Sequence, residues 1–293
     1  LLEWLAGQLV AENYDLKHII RLIVTSQAYQ REPGTENLAS VSAEKRFFNA
    51  PARRRLTAEQ IVDSLHTAAG AEIDSEAMTF IHDGAKTLQS RQDLGLPRRG
   101  WMFASLNNER DRPSLALPRA QAVVNVLQAF GWSGSRQNPV FARDTDPNLL
   151  QPGILENGTL VQTLSRASWQ SGLANLAVDS ESAEALLENL FLRFLNREAL
   201  PSEQDAFLPA LKNGFDSRLN PPDRITAPET PPRLRLVTWL NHVQPDANTI
   251  QQELEKRAER GPEPDSRLRP EWREVYEDII WSLINHREFV WMP

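Results

Sequence analysis

Apolar residues recur at intervals of three and four along most of this chain, a spacing that predicts helices. Leu1, Leu2, Leu5, Leu9 and Val10 form one such stripe, Asn13 interrupts it, and Asp15 is placed to cap a second stripe of Leu16, Ile19, Ile20, Ile23 and Val24. The opening therefore reads as a helix pair. Pro33 and Gly34 end it, and a polar loop runs on to Glu44. Thr57 followed by Gln60 has capping-box spacing, and Ile61, Val62, Leu65 and Ala69 give the helix behind it a buried side.

Periodicity weakens between Gly70 and Gly100, which predicts irregular chain or at most a short strand, and the alternation of Trp101, Phe103 and Leu106 permits one strand of about six residues. Pro118 suits the first turn of a helix reaching Phe130, where Gly131 stops it. Short helices are expected over Leu149 to Leu155 and Leu160 to Leu164, with another near Ser165 to Leu176. Ser180 or Ser182 can cap a strongly amphipathic helix that aligns Leu186, Leu187, Leu190, Phe191, Phe194 and Leu195, and Pro201 opens the next. Five prolines between Asn213 and Arg233 (221, 222, 228, 231, 232) predict an exposed connector. Helices follow over Leu234 to Val243, Thr249 to Arg260 and Trp272 to His286. The expected class is all-α: an irregular multi-helix bundle with long loops and at most one or two short strands. Its expected parts are a helical core over 1–212, a proline-rich connector over 213–233, and C-terminal helices over 234–293 packing back on the core.

Composition narrows the function. With 41% hydrophobic and 24% charged residues the chain has a globular composition, and no apolar run nears the roughly 20 residues that span a bilayer. A net charge of -7 argues against nucleic acid as a partner. Cysteine is absent, which removes disulfides, thiolate nucleophiles, Cys-based zinc sites and CxxCH haem attachment. The five histidines (18, 66, 82, 242, 286) include no pair three to five residues apart, so no helical metal pair is expected. No serine has GxSxG context and no glycine-rich phosphate loop occurs. The chain begins at Leu1 already inside an amphipathic pattern and reads as a segment of a longer polypeptide.

What helix packing does not explain is a basic centre. From Arg91 through Asp144 eight arginines meet four acids, a local excess of four positive charges that leaves about -11 for the rest of the chain. Arg110, Arg112, Arg119, Arg136 and Arg143, with Trp101 and Trp132 nearby, form the candidate site within the arginine-rich segment 91–157. Guanidinium forks converging on one place suit carboxylates, sulfates or phosphates. Those anions can come from a ligand, with the tryptophans stacking on carbohydrate, or from this protein's own Glu109, Asp111, Asp144 and Asp146, with the tryptophans as core anchors.

Several stretches together carry a resemblance. LLEWLAGQLVAENYDLKHIIRLIVTSQAYQR at the start, ARRRLTAEQIVDSL at 52–65, NNERDRPSLALPRAQAVVNVLQAFGWSGSRQ, RDTDPNLLQPGILENG, LFLRFLNREALPSEQ at 190–204 and DIIWSLINHREFVW near the end resemble, in order, the planctomycete-specific domain 1 family, domain of unknown function 1553. The resemblance implies the C-terminal part of a large exported protein, periplasmic or extracellular, often with a cytochrome c domain upstream. Haem c would then belong to an upstream domain of the same polypeptide, since this chain has no attachment motif. The family supplies no catalytic residues, and matching positions such as Arg54, Arg55, Arg110, Arg112, Leu117, Pro118, Arg119 and Gln151 come without roles. Two functions stand open: an accessory or interaction module that packs against upstream domains, or part of an exported, redox-linked enzyme acting on anionic polysaccharide.

Overall fold

The computed structural model describes residues 1–31, 54–76, 78–81, 91–103, 117–132, 146–229, 231–237 and 241–292. Eleven α-helices run through them: α1 Leu2–Ala11, α2 Leu16–Val24, α3 Ala58–Ala69, α4 Pro118–Ala129, α5 Leu150–Asn157, α6 Thr159–Leu164, α7 Gly172–Asp179, α8 Ala183–Leu195, α9 Pro201–Lys212, α10 Ala247–Arg260 and α11 Pro270–Ile284. The all-α class expected from the periodicity is what the structure shows. Its extended segments are β1 Arg54–Arg55, β2 Met78–Ile81, β3 Arg91–Gly95 and β4 Trp291–Met292, joined as two antiparallel pairs, β1 with β4 and β2 with β3.

The chain divides into two units. Leu1–Arg55 with Val290–Pro293 make the first, and Leu56–Phe289 the second. In the first, Asp15 caps α2 by accepting from the amides of Lys17 (2.8 Å) and His18 (3.3 Å). Helices α1 and α2 pack on each other, yet neither contains a buried residue.

The second unit holds the core. Ser182 caps α8 through the Ala185 amide at 3.1 Å, Asn196 closes it in the left-handed conformation (φ 55°), and the predicted face from Leu186 to Leu195 is buried. Helix α11 buries Trp272, Tyr276, Ile279, Ile280, Leu283 and Ile284. Each such side chain contributes on the order of 1.5–3 kcal/mol by leaving water, so these two faces are a substantial part of the unit's core. Thr57 and Gln60 form the expected capping box at the start of α3, and α3 packs on α4. The α3–α7 approach requires glycine: a Cβ on Gly172 would sit 2.7 Å from the Gly70 Cα.

Three element expectations need correction. No strand begins at Trp101, because a 3-10 turn occupies Gly100–Met102 with Phe103 N donating to the Gly100 carbonyl at 3.3 Å; Leu106 lies outside the described residues. The helix expected near Ser165 starts only at Gly172, after a turn whose Trp169 and Ser168 pair with Glu263 and Pro264. The helix expected over Leu234 to Val243 does not form at 234–237, which runs without helix, or at 241–243, which turns. There Arg235 binds Gln244 and Asp246, Arg257 donates to the Pro232 carbonyl at 2.7 Å, and buried Val237 packs with Ala247 and Ile250, so tertiary contacts outweigh local propensity.

Candidate functional site

Arg119 is the one arginine of the candidate site within the described residues; Arg110, Arg112, Arg136 and Arg143 fall outside them. Its surroundings follow from a capping problem. Pro118 starts α4 with Leu117 in the N-cap position, and leucine has no acceptor for the free amides of the first turn. Glu76 supplies one from the segment that follows α3. Its carboxylate accepts from Ala120 N at 2.9 Å and Arg119 N at 3.3 Å, and its side chain is only 2% exposed. The Arg119 guanidinium, 42% exposed, divides its fork between Glu76 (Nε to Oε1, 3.4 Å) and exposed Asp74 (Nη1 to Oδ2, 2.6 Å). Two amides, the positive end of α4 and a guanidinium thus compensate one buried carboxylate. The anions that Arg119 binds are this protein's own.

The two tryptophans part company. Trp132, 5% exposed, follows Gly131 (φ 86°) and donates its amide to the Leu127 carbonyl at 2.9 Å, while Gly131 N donates to Gln128 at 3.1 Å. That is a Schellman closure of α4 with its aromatic ring in the core. Trp101 is 59% exposed on its 3-10 turn. Gly100 rivets the turn to α3 by donating to Asp63 Oδ1 at 2.7 Å, and a Cβ there would strike the Glu59 carbonyl at 2.7 Å. Arg98 and Arg99, both exposed, precede it.

A hollow of about 190 Å³ lies elsewhere, between α8 and α9, with Leu187 and Leu208 beneath and Glu184, Glu188 and Glu198 around it. Its carboxylates would repel the anionic ligands the arginines were expected to attract. Glu184 is already held by Lys212, which keeps its pKa below the usual range. Among the described residues no group of three or more His, Asp or Glu side chains converges as a metal site requires, and no helix is long and apolar enough to cross a membrane.

Sequence reasoning passed over the buried polar centres of the second unit. Asp265 is fully buried; burial pushes its pKa up, but bonds from the Arg267 guanidinium (2.7 Å) and from the amides of Gln170 and Arg267 (each 2.9 Å) more than reverse this, leaving it below the usual range. Arg218 is buried over the Phe215 ring, 3.8 Å from its centroid, and donates to the carbonyls of Ala177 (2.8 Å), Val178 (3.1 Å) and Ser180 (2.7 Å), closing the C-terminal end of α7. Its only signal in the sequence was position in a proline-rich stretch, which pointed the other way.

The model of PSD1, a protein of unknown function (DUF1553), matches residues 1–211. The chain belongs to the PSD1 family. No curated protein and no solved structure matches it. The PSD1 match ends within α9, whereas the core of the second unit does not: beyond residue 211, Trp272 Nε1 donates to the Leu211 carbonyl at 3.0 Å and the buried Tyr276 hydroxyl donates to the Leu173 carbonyl at 3.0 Å.

Proposed function

We propose that this chain is an accessory, interaction-type helical module of a larger exported polypeptide, and that it receives an upstream domain on the α1–α2 hairpin. The observation that carries the reading is the hairpin's exposure. Of the twenty-one large hydrophobic side chains exposed among the described residues, ten lie between Leu1 and Tyr29, and no residue of α1 or α2 is buried. An apolar concentration of that kind on a helical surface marks a contact surface. The internal pairing of Arg119 and the burial of Trp132 support the same reading, because they commit two of the candidate site residues to the fold. Haem c, where the polypeptide has it, sits in the upstream domain on this reading.

Amide hydrogen exchange tests it on the polypeptide as its gene encodes it. The amides of 16–24 are expected to exchange at least tenfold more slowly there than in the 293-residue chain, and Ile20→Asp is expected to remove that protection. Equal exchange in the two proteins overturns the reading.

A second reading, an exported enzyme acting on anionic polysaccharide, draws on Trp101, whose exposed ring beside Arg98 and Arg99 is suited to stacking on a sugar. Retention of the chain on an anionic polysaccharide matrix, lost in Trp101→Ala with an unchanged melting temperature, would favour it over the first.

A further inference from the structure

Resting on the reading that the hairpin is a docking surface, we infer that the exposed strip of α2 takes one kind of occupant: an amphipathic helix carrying carboxylates along one margin of its apolar stripe. At about 100° per residue, Leu16, Ile20, Ile23 and Val24 fall within an arc of about 100° on α2, and all four are exposed. His18, Ile19 and Leu22 are half-buried and lie to one side of that arc. On its other side, next to Val24, stand Lys17 and Arg21, one turn apart and both exposed, with no ion pair among the described residues. The strip is thus apolar along its centre and cationic along a single edge.

Length and charge decide between occupants. Nine residues make about 13 Å of helix, enough for a two- to three-turn contact with another helix and short for an interfacial membrane anchor. The first 31 residues carry Glu3, Glu12 and Asp15 against Lys17, Arg21 and Arg31, a net charge of zero that gives an anionic bilayer little to attract. A second copy of α2 is a poor match too. The segment 16–24 contains no Asp or Glu, and the one acid beside it, Asp15, is engaged with the Lys17 and His18 amides, so a copy has nothing to offer the two cations. A helix with aliphatic residues at i, i+4 and i+7 and Glu or Asp four residues apart on one margin satisfies both the strip and its edge.

The test uses the 293-residue chain and two fluorescein-labelled helical peptides that share a leucine stripe and carry either two glutamates or two lysines on one margin, read by fluorescence anisotropy. The glutamate peptide is expected to bind about tenfold more tightly, the size of two exposed ion pairs. Lys17→Glu with Arg21→Glu is expected to invert the preference, and Ile20→Asp to abolish binding of both. Loss of the preference at high salt would support the same conclusion. Equal binding of the two peptides, tighter binding to phosphatidylserine vesicles than to the glutamate peptide, or a concentration-dependent dimer dissolved by Ile20→Asp overturns the inference. Charge-blind but Ile20-dependent binding removes the inference alone, whereas binding indifferent to Ile20, together with unprotected amides in the full polypeptide, removes the docking reading as well.

Discussion

His66 lies on α3 with only 7% of its surface exposed. Burial lowers its pKa to about 4, and the nearby backbone groups of Ala71 and Glu72 restore only part of the loss. The unfolded chain, with an ordinary imidazole near 6.5, therefore binds the proton more readily than the folded one throughout that interval. Stability from this residue is complete above pH 6.5 and declines as pH falls to about 4, by up to about 3 kcal/mol. Glu277 acts in the opposite sense, because burial raises its carboxyl pKa and acid relieves the strain of keeping it charged. Urea unfolding between pH 7 and pH 4.5 separates the two. The wild type is expected to lose stability over that range and His66→Leu to lose much less of it; parallel declines would show that other groups set the dependence.

At the scale of elements, α4 and its cap show what the sequence could and could not reveal. The helix itself was legible from Pro118 through Gly131, since proline at the first turn and glycine after the last are local signals with local causes. Its cap was not, because Glu76 lies more than forty residues upstream, in a stretch whose periodicity is weak. The same division runs through the molecule: Asp15, Thr57 and Ser182 cap their helices as their spacing predicts, whereas Arg218 and Asp265 find partners that only the tertiary fold supplies. Of the candidate site, the sequence identified Arg119 as demanding an anion but could not say whose. The arrangement predicts that Glu76→Ala destabilises the chain by about 2–3 kcal/mol, through lost caps and a cavity. Arg119→Ala, with its guanidinium partly in water, should cost about 1–2 kcal/mol. Thermal unfolding measures both. An Arg119→Ala chain as stable as the wild type would return Arg119 to the pool of ligand-binding candidates.

At the scale of the whole molecule, the family match and the physical core have different limits. Residues 1–211 include α8 and most of α9, but the apolar face of α8 packs on α11, which lies entirely beyond the match. The two segments are also tied by polar groups that would be stranded apart. Asp265 accepts the Gln170 amide, Glu277 accepts the Ala167 amide at 2.9 Å, and Arg197 is held by Glu203 on one side of the boundary and Glu288 on the other, each at 2.7 Å. Removing 212–293 would take Phe289 from beside buried Phe194, the two ring centroids lying 6.3 Å apart, and leave the α7 carbonyls without Arg218. Several buried aliphatic and aromatic side chains at about 1.5–3 kcal/mol each amount to the whole margin of a typical domain. A chain ending at Leu211 is therefore expected to melt without a cooperative transition and to bind a hydrophobic dye, and adding 212–293 in trans is expected to restore a sharp melt. A cooperative transition in the 1–211 chain alone would mean that the family-matched segment is a domain in its own right, with the C-terminal helices as a dispensable neighbour.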